Sequence, residues 1–325
     1  MKYGRIDGLN KPVSRVVLGT MIVTIAEKER SFALLDAACE AGINAVDVAH
    51  VYGGGQSERC VGAWLREHGV RETFVIITKG CHPNQDRKRV TPFDLAADLH
   101  DSLARLQTDY IDVYLLHRDD PSVPVGPIVR ALNEHHRKGR IRAFGGSNWS
   151  HQRIQEANDY ARKHGLVPFT ASSPNFGLAE QVEDPWGPGC ETISGPGKAE
   201  ARAWYRRNRM PVLAYSSLGR GLFSGRMTRD NFKEISDGAC ARAYCHEVNF
   251  QRLDRARQLA AERGVNVTQI ALAYVLQQPL KTFALVGAAS KEECVANAAA
   301  VEIKLSAKEL AWLDMGGECP NHAKP

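Results

Sequence analysis

Four side chains in this sequence are of the types that, brought together, move a proton. Asp47 closes the apolar run "NAVDV", Lys79 closes "FVIITK" and His117 closes "IDVYLLH". Tyr52 stands a little beyond Asp47, just ahead of Gly53, Gly54 and Gly55. A free tyrosine keeps its proton up to about pH 10, so at neutrality it exchanges poorly. A lysine cation beside it favours the phenolate and lowers that value. An aspartate can keep the ammonium charged and in place, and a histidine can hydrogen-bond a carbonyl oxygen and aim it at the phenol. Such a set suits general acid–base work on a carbonyl or an alcohol. Each residue alone has an ordinary structural explanation: an Asp caps a helix, a Tyr covers a core, a Lys snorkels, a buried His finds a partner. The chemistry therefore depends on elements that bring all four to one place.

Those elements are legible as alternation. Short β-branched runs occur near Val16, Val46, Ile76, Tyr114, Phe144, Thr170, Leu213 and Leu285, with helical periodicity between them. In "EKERSFALLDAACEAG" the spacing puts Phe32, Leu35 and Cys39 on one face, with Gly42 as the C-terminal stop. "TPFDLAADLHDSLARLQ" opens with Thr91 as N-cap and Pro92 at the first helical position. "VTQIALAYVLQQ" is helical until Pro279. Near-continuous apolar strands separated by helices predict a parallel sheet covered on its outer face, and eight units favour a closed (β/α)8 TIM barrel over an open sheet. In such a barrel chemistry sits at the C-terminal ends of the strands, where Asp47, Lys79 and His117 fall.

The whole chain, residues 1–325, reads as one domain. Residues 1–14 make a hairpin around Asp7-Gly8 that closes the barrel bottom. Residues 174–198 form a long Gly- and Pro-rich loop in which Trp186 has something to cover, and 316–325 a tail without fold signal. No GxGxxG follows a strand, which removes a Rossmann site.

Composition narrows the function classes. The net charge of +5 is mild, and the basic clusters "HHRKGRIR" and "WYRRNRM" fall at helix ends without interleaved aromatics, so a nucleic-acid surface is not expected. There is no apolar run of membrane-spanning length and no secretion signal at the start, so a soluble, cytoplasmic protein is expected. The eight cysteines form no CxxC pair or zinc spacing and are expected to be reduced; no metal site is expected. Cys240 and Cys245 lie close together in a polar segment.

The pieces "DVAHVYGGGQSE", "VIITKG", "DVYLLHR", "IRAFGGSNW", "LAYSSLGRGLFSGR" and "LVGAASKEECVANAAA", in that order, resemble the aldo-keto reductase family over essentially the whole length. The resemblance implies that Asp47, Tyr52, Lys79 and His117 are the family's catalytic tetrad, with Tyr52 and His117 also meeting substrate. It implies NADPH lying across the barrel mouth, with Gly19, Thr20 and Asp47 near it and Tyr215 stacked on the nicotinamide. Ser147 and Asn148 would hold the carboxamide. The turn Ser216, Ser217, Leu218, Gly219, Arg220 and Gly221 would take the pyrophosphate, and Asn297 the adenine. Two positions depart from the pattern. Ser173 stands where the family often has Gln, so one carboxamide contact would pass through water. Glu293 and Gly287 stand where a basic partner for the 2′-phosphate is expected; Ser290 and Lys291 would have to compensate, and NADH stays open beside NADPH.

The expected activity is reduction of an aldehyde or ketone, with Tyr52 delivering the proton and a small carbonyl compound as partner. Arg118, Asp119, Asn148, Trp149 and Trp186 at the rim favour a polar or sugar-like carbonyl such as an oxidised hexose. Three alternatives stand beside it: an NADH-linked sugar or polyol dehydrogenase, a Schiff-base aldolase using Lys79, and a nucleotide-binding redox sensor subunit. Asp47 argues against the aldolase, because it would hold the amine protonated.

Overall fold

The eight apolar runs form eight parallel strands that close on themselves in the computed structural model, which describes residues 1–320. After the short strands β1 (Tyr3–Gly4) and β2 (Val13–Ser14) come β3 (Val16–Gly19), β4 (Ala45–Asp47), β5 (Val75–Gly80) and β6 (Ile111–Leu116). The circle continues through β7 (Ile141–Ser147), β8 (Ala171–Ser173), β9 (Pro211–Ala214) and β10 (Lys281–Val286), which pairs back onto β3. Helices follow the strands and cover the outside, the arrangement that buries both faces of a parallel sheet. Among the described residues no helix is long and apolar enough to cross a membrane. The end of the expected tail, 321–325, lies outside the described residues.

The barrel interior is a separate core of small and branched side chains with one aromatic ring: Val17, Ala45, Val75, Ile77, Val113, Leu115, Ala143, Ala171, Leu213, Leu285 and Phe283. Ile6 and Val13 belong to the same cluster. They come from the hairpin, whose strands pair Tyr3 with Ser14 and Gly4 with Val13, so the hairpin seals the barrel's lower end as expected. At the β7–β8 seam Gly145 cannot be replaced: a Cβ there would lie 1.8 Å from the Ala171 carbonyl oxygen.

Local readings of the helices meet the structure unevenly. Thr91 caps the helix Pro92–Leu106 by accepting from the Asp94 N–H, and Asn266 with Gln269 forms a capping box on Val267–Leu276. In Lys28–Glu40 the buried face is Ser31, Leu34, Leu35, Ala37 and Ala38, whereas Cys39 is exposed and Phe32 only partly covered. The expected face is rotated because Ala and Leu at 33–38 make the apolar arc broad, and packing sets its phase.

The long loop is docked rather than free. Asn175 N–H donates to the Glu191 carbonyl at 2.8 Å and Ile193 N–H to the Asn175 carbonyl at 2.9 Å. The Asn175 side chain ties Thr192 and Ser194 to Tyr215 and Tyr244. Arg242 grips the Pro185 carbonyl at 2.6 Å.

Candidate active site

Asp47, Tyr52, Lys79 and His117 all line one cavity of about 1310 Å³ at the C-terminal ends of the strands. Asp47 is the last residue of β4, Lys79 lies near the end of β5, and His117 follows β6. Tyr52 reaches the same place because the chain doubles back after it. Gly53, Gly54 and Gly55 all have positive φ (56°, 62° and 90°), a left-handed run that only glycine accepts without strain. At Gly55 a Cβ would also strike the Arg105 guanidinium at 2.7 Å. Arg105 in turn donates to the His50 carbonyl and to buried Glu58, which accepts from Thr78 on β5. The loop that carries Tyr52 is thus clamped to the strand that carries Lys79.

The Lys79 ammonium spends its three protons locally: on Asp47 Oδ2 at 2.7 Å, the Val48 carbonyl at 3.1 Å and the Tyr52 hydroxyl at 3.2 Å. Burial works against this cation, but Asp47 and Tyr52 outweigh it and hold its pKa above the ordinary lysine value. A Schiff-base nucleophile needs a neutral amine, and this geometry withholds one. For Tyr52 the balance departs from the sequence-based expectation. Burial raises its pKa, and the opposing pull of Lys79 does not restore it, so the net shift is upward. Burial likewise pushes the Asp47 carboxyl up against the pull of Lys79. His117, buried and facing Lys79, His82 and Arg118, is held well below the usual histidine value and is neutral at physiological pH. Its ring stands edge-on to Tyr52 at 6.0 Å, and its Nδ1 has no partner; neither has Asp47 Oδ1.

The remaining expected site residues divide into those that reach the cavity and those that do not. Gly19, Ser147, Asn148, Tyr215, Ser216, Ser217, Leu218, Arg220, Gly221, Gly287, Glu293, Asn297, Arg118 and Trp186 line it. Asn148, at φ +59°, is a hub: its Oδ1 accepts from the Tyr215 hydroxyl at 2.7 Å and the Glu191 N–H at 3.1 Å, and its amide donates to the His117 carbonyl. Six expected residues lie outside the cavity lining. Thr20 is buried below the mouth and bonds the Asp47 carbonyl and Ser57. The Ser173 hydroxyl donates to the Leu213 carbonyl inside the barrel wall. Ser290 caps the helix Lys291–Ala299, and the Lys291 ammonium is paired with Glu40 at 2.7 Å, away from the cavity lining. Trp149, expected at the rim, is 0% exposed: its indole N–H donates to the Arg118 carbonyl and its ring packs on Phe169. Gly146 makes that possible, since a Cβ there would lie 2.4 Å from the indole. The glycine ahead of "SNW" is the signal that could have shown the tryptophan folding inward. Gly219, in the turn but outside the lining, accepts from Cys240 below it.

The cavity has further lining residues that sequence patterns do not single out. His82 packs on His117 with ring centres 4.8 Å apart. Arg226, its side chain 74% exposed, sits 3.8 Å from Glu293 at the far end. Met21, Ile22 and Val51 form an exposed apolar lip beside Tyr52. These residues lie on irregular segments, where no periodicity announces which way a side chain faces.

Comparisons with known proteins bear on the fold and the family. The aldo-keto reductase YhdN of Bacillus subtilis (strain 168) is 30% identical over 306 residues, covering 89% of this chain and 85% of that protein. An aldo/keto reductase from Klebsiella pneumoniae, solved in complex with NADP and acetate, superposes with a TM-score of 0.70 at 28% identity, over 96% of this chain and 94% of that one. A glycerol dehydrogenase from Gluconobacter oxydans shares the fold, with a TM-score of 0.76 at 24% identity over 98% of this chain and 97% of that one. The family model described as "Aldo/keto reductase family" matches residues 15–315, and on the barrel, the strand-end site and this match the chain belongs to the aldo/keto reductase family.

Proposed function

We propose that this protein is an NADPH-dependent reductase of aldehydes or ketones in which Tyr52 is the proton donor. The observation that carries this reading is the chain of contacts Asp47–Lys79–Tyr52, with neutral His117 facing the same phenol. The lining residues fit the dinucleotide. One end of the cavity offers Ser147, Asn148, Tyr215 and the unpartnered Asp47 Oδ1; the other offers Arg220, Arg226 and Asn297. NADPH bound there would supply the hydride. His117, uncharged, donates a hydrogen bond to the substrate oxygen and orients it. Tyr52 gives up its proton to that oxygen, and the Lys79 ammonium stabilises the phenolate left behind, held in turn by Asp47. The net upward shift of Tyr52 suits this direction, because the phenol stays loaded with its proton across neutral pH.

Arg226 takes the part expected of Ser290 and Lys291, as the exposed cation beside Glu293 that can meet a 2′-phosphate. The substrate reading also moves. With Trp149 buried, one of the two indoles proposed for a sugar ring is gone, and the lip of Met21, Ile22, Val51 and Trp186 favours a carbonyl on an apolar or aromatic body. Single-turnover reduction of a panel of aryl, alkyl and sugar aldehydes and ketones, with each nucleotide, tests both points. Tyr52→Phe should lose about 10²–10⁴ in turnover while nucleotide titration stays near wild type. Near-normal turnover in that variant would sink the mechanism, and preference for the sugar compounds would sink the substrate class.

A further inference from the structure

Beneath the turn Ser216–Gly221, three sulfur atoms meet. Cys240 Sγ and Cys245 Sγ are 3.8 Å apart, and Cys245 Sγ is 3.6 Å from Met227 Sδ. All three side chains are buried and both cysteines are free. Two sulfurs each about 2.3 Å from one trigonal ion stand about 4 Å apart, so each of the two separations, both measured from Cys245, fits a pair of sulfurs sharing an ion. Thiolate and thioether together are the donors of a soft, low-valent ion, and they discriminate against the hard and borderline cations that want oxygen or imidazole. Among the described residues no group of three or more His, Cys, Asp or Glu could hold a metal; this cluster differs because its third donor is a thioether.

We propose that Met227, Cys240 and Cys245 form a binding site for one Cu(I) ion. Their backbones are held independently of any ligand. The Met227 carbonyl accepts from Arg257 at 2.7 Å. Cys240 N–H donates to Asp237 Oδ1 at 2.6 Å, at the N-terminus of the helix Gly238–Tyr244, and Cys245 N–H donates to the Cys240 carbonyl at 3.3 Å. The donor atoms are therefore presented together before an ion arrives. Loading is a proton exchange without electron transfer: two thiols lose their protons, and two sulfur–copper bonds and one thioether bond form. The product carries one negative charge; Asp237 at the head of the same helix disfavours it, and Arg220, ion-paired to Asp237, offsets that carboxylate. Because loading releases two protons, affinity rises with pH.

The test is anaerobic titration of the reduced full chain with Cu(I) in competition with bathocuproine disulfonate, across pH. Wild type should retain one ion per chain, with affinity rising as pH rises, and Cu(I) should raise its melting temperature. The variant Cys39→Ser/Cys190→Ser/Cys319→Ser, which removes the more exposed thiols, should do the same. Cys240→Ser and Cys245→Ser should each weaken binding by at least about a hundredfold, and Met227→Leu by about tenfold, since loss even of supporting groups costs this much. Met227→Leu conserves volume and guards against a variant that fails for want of folding. Retention of the ion by Cys240→Ser/Cys245→Ser, its loss from the triple serine variant, or no retention by wild type would each overturn the site.

Discussion

The two ends of the cavity are built by opposite strategies. At the strand ends of β4, β5 and β6 most polar groups are tied to one another, with Asp47 Oδ1 and His117 Nδ1 left without a partner: Lys79 is fully bonded, Glu58 joins Thr78 to Arg105, and Thr20 links the Asp47 carbonyl to Ser57. At the other end, the turn Ser216–Gly221, the irregular segment after it and the helix Lys291–Ala299 present side chains that are exposed or paired with one another, as Arg220 is with Asp237 and Arg226 with Glu293. The turn itself holds four left-handed residues, Ser216, Gly219, Arg220 and Gly221. The proposed proton-moving end is thus pre-organised inside the barrel wall, whereas the proposed nucleotide end is a left-handed turn whose charged side chain reaches only a surface partner. Changes at the first should break chemistry and stability together; changes at the second should shift binding alone.

The largest effect should come from Lys79→Met. It leaves Asp47 buried without its counter-charge, costing about 3–5 kcal/mol of stability, and it removes the cation that stabilises the Tyr52 phenolate. Denaturant unfolding should show the loss shrinking as pH falls and Asp47 takes a proton, and adding Asp47→Asn should recover much of it. A variant as stable as wild type would mean that the two ends are not so different.

The pH dependence sharpens the same contrast. His117 binds its proton less readily folded than unfolded. Its contribution to stability is thus present above the unfolded value of about 6.5 and is lost as pH falls from there toward the folded value, because the unfolded chain then takes up a proton the native one refuses. Melting curves from pH 8 to pH 5 should be steeper for wild type than for His117→Asn. For the reaction, kcat/KM for reduction should stay level through neutrality and fall only at high pH, where Tyr52 loses its proton.

At the nucleotide end the expected effects are smaller and selective. Arg226→Ala should weaken NADPH by about 1 kcal/mol or more and leave NADH nearly unchanged, as for one charge-assisted contact. Lys291→Ala, whose ammonium is already paired with Glu40, should change neither constant. Dissociation constants of both nucleotides decide it; the reverse pattern would return the phosphate to Lys291. The smallest effect is expected where the two ends meet. Trp186 lies 4.9 Å beneath the Arg220 guanidinium and 5.9 Å from the Tyr215 ring, so Trp186→Ala should cost about 0.5–1 kcal/mol of nucleotide affinity. Limited proteolysis of the loop 174–198 should slow when NADPH is bound, and less so in that variant; equal cleavage throughout would leave the loop a fixed wall.

By itself the sequence determined the barrel, the hairpin plug and the four side chains at three neighbouring strand ends. Strand and helix periodicity follow from local geometry, and the end of a parallel strand is a defined place at the barrel mouth, so a residue's position in its run already sets its position in the site. Only the tertiary structure decided where the loop residues go and which electrostatic influence wins. Trp149 turned inward over Gly146 and Arg226 turned toward the cavity, since a side chain on irregular backbone takes its direction from whatever packs against it, while Lys291, at the start of its helix, turned away to Glu40. The pKa of Tyr52 went up rather than down for a related reason. The cation beside it could be read from residue types, but desolvation depends on everything that surrounds the phenol, and that is a property of the assembled barrel.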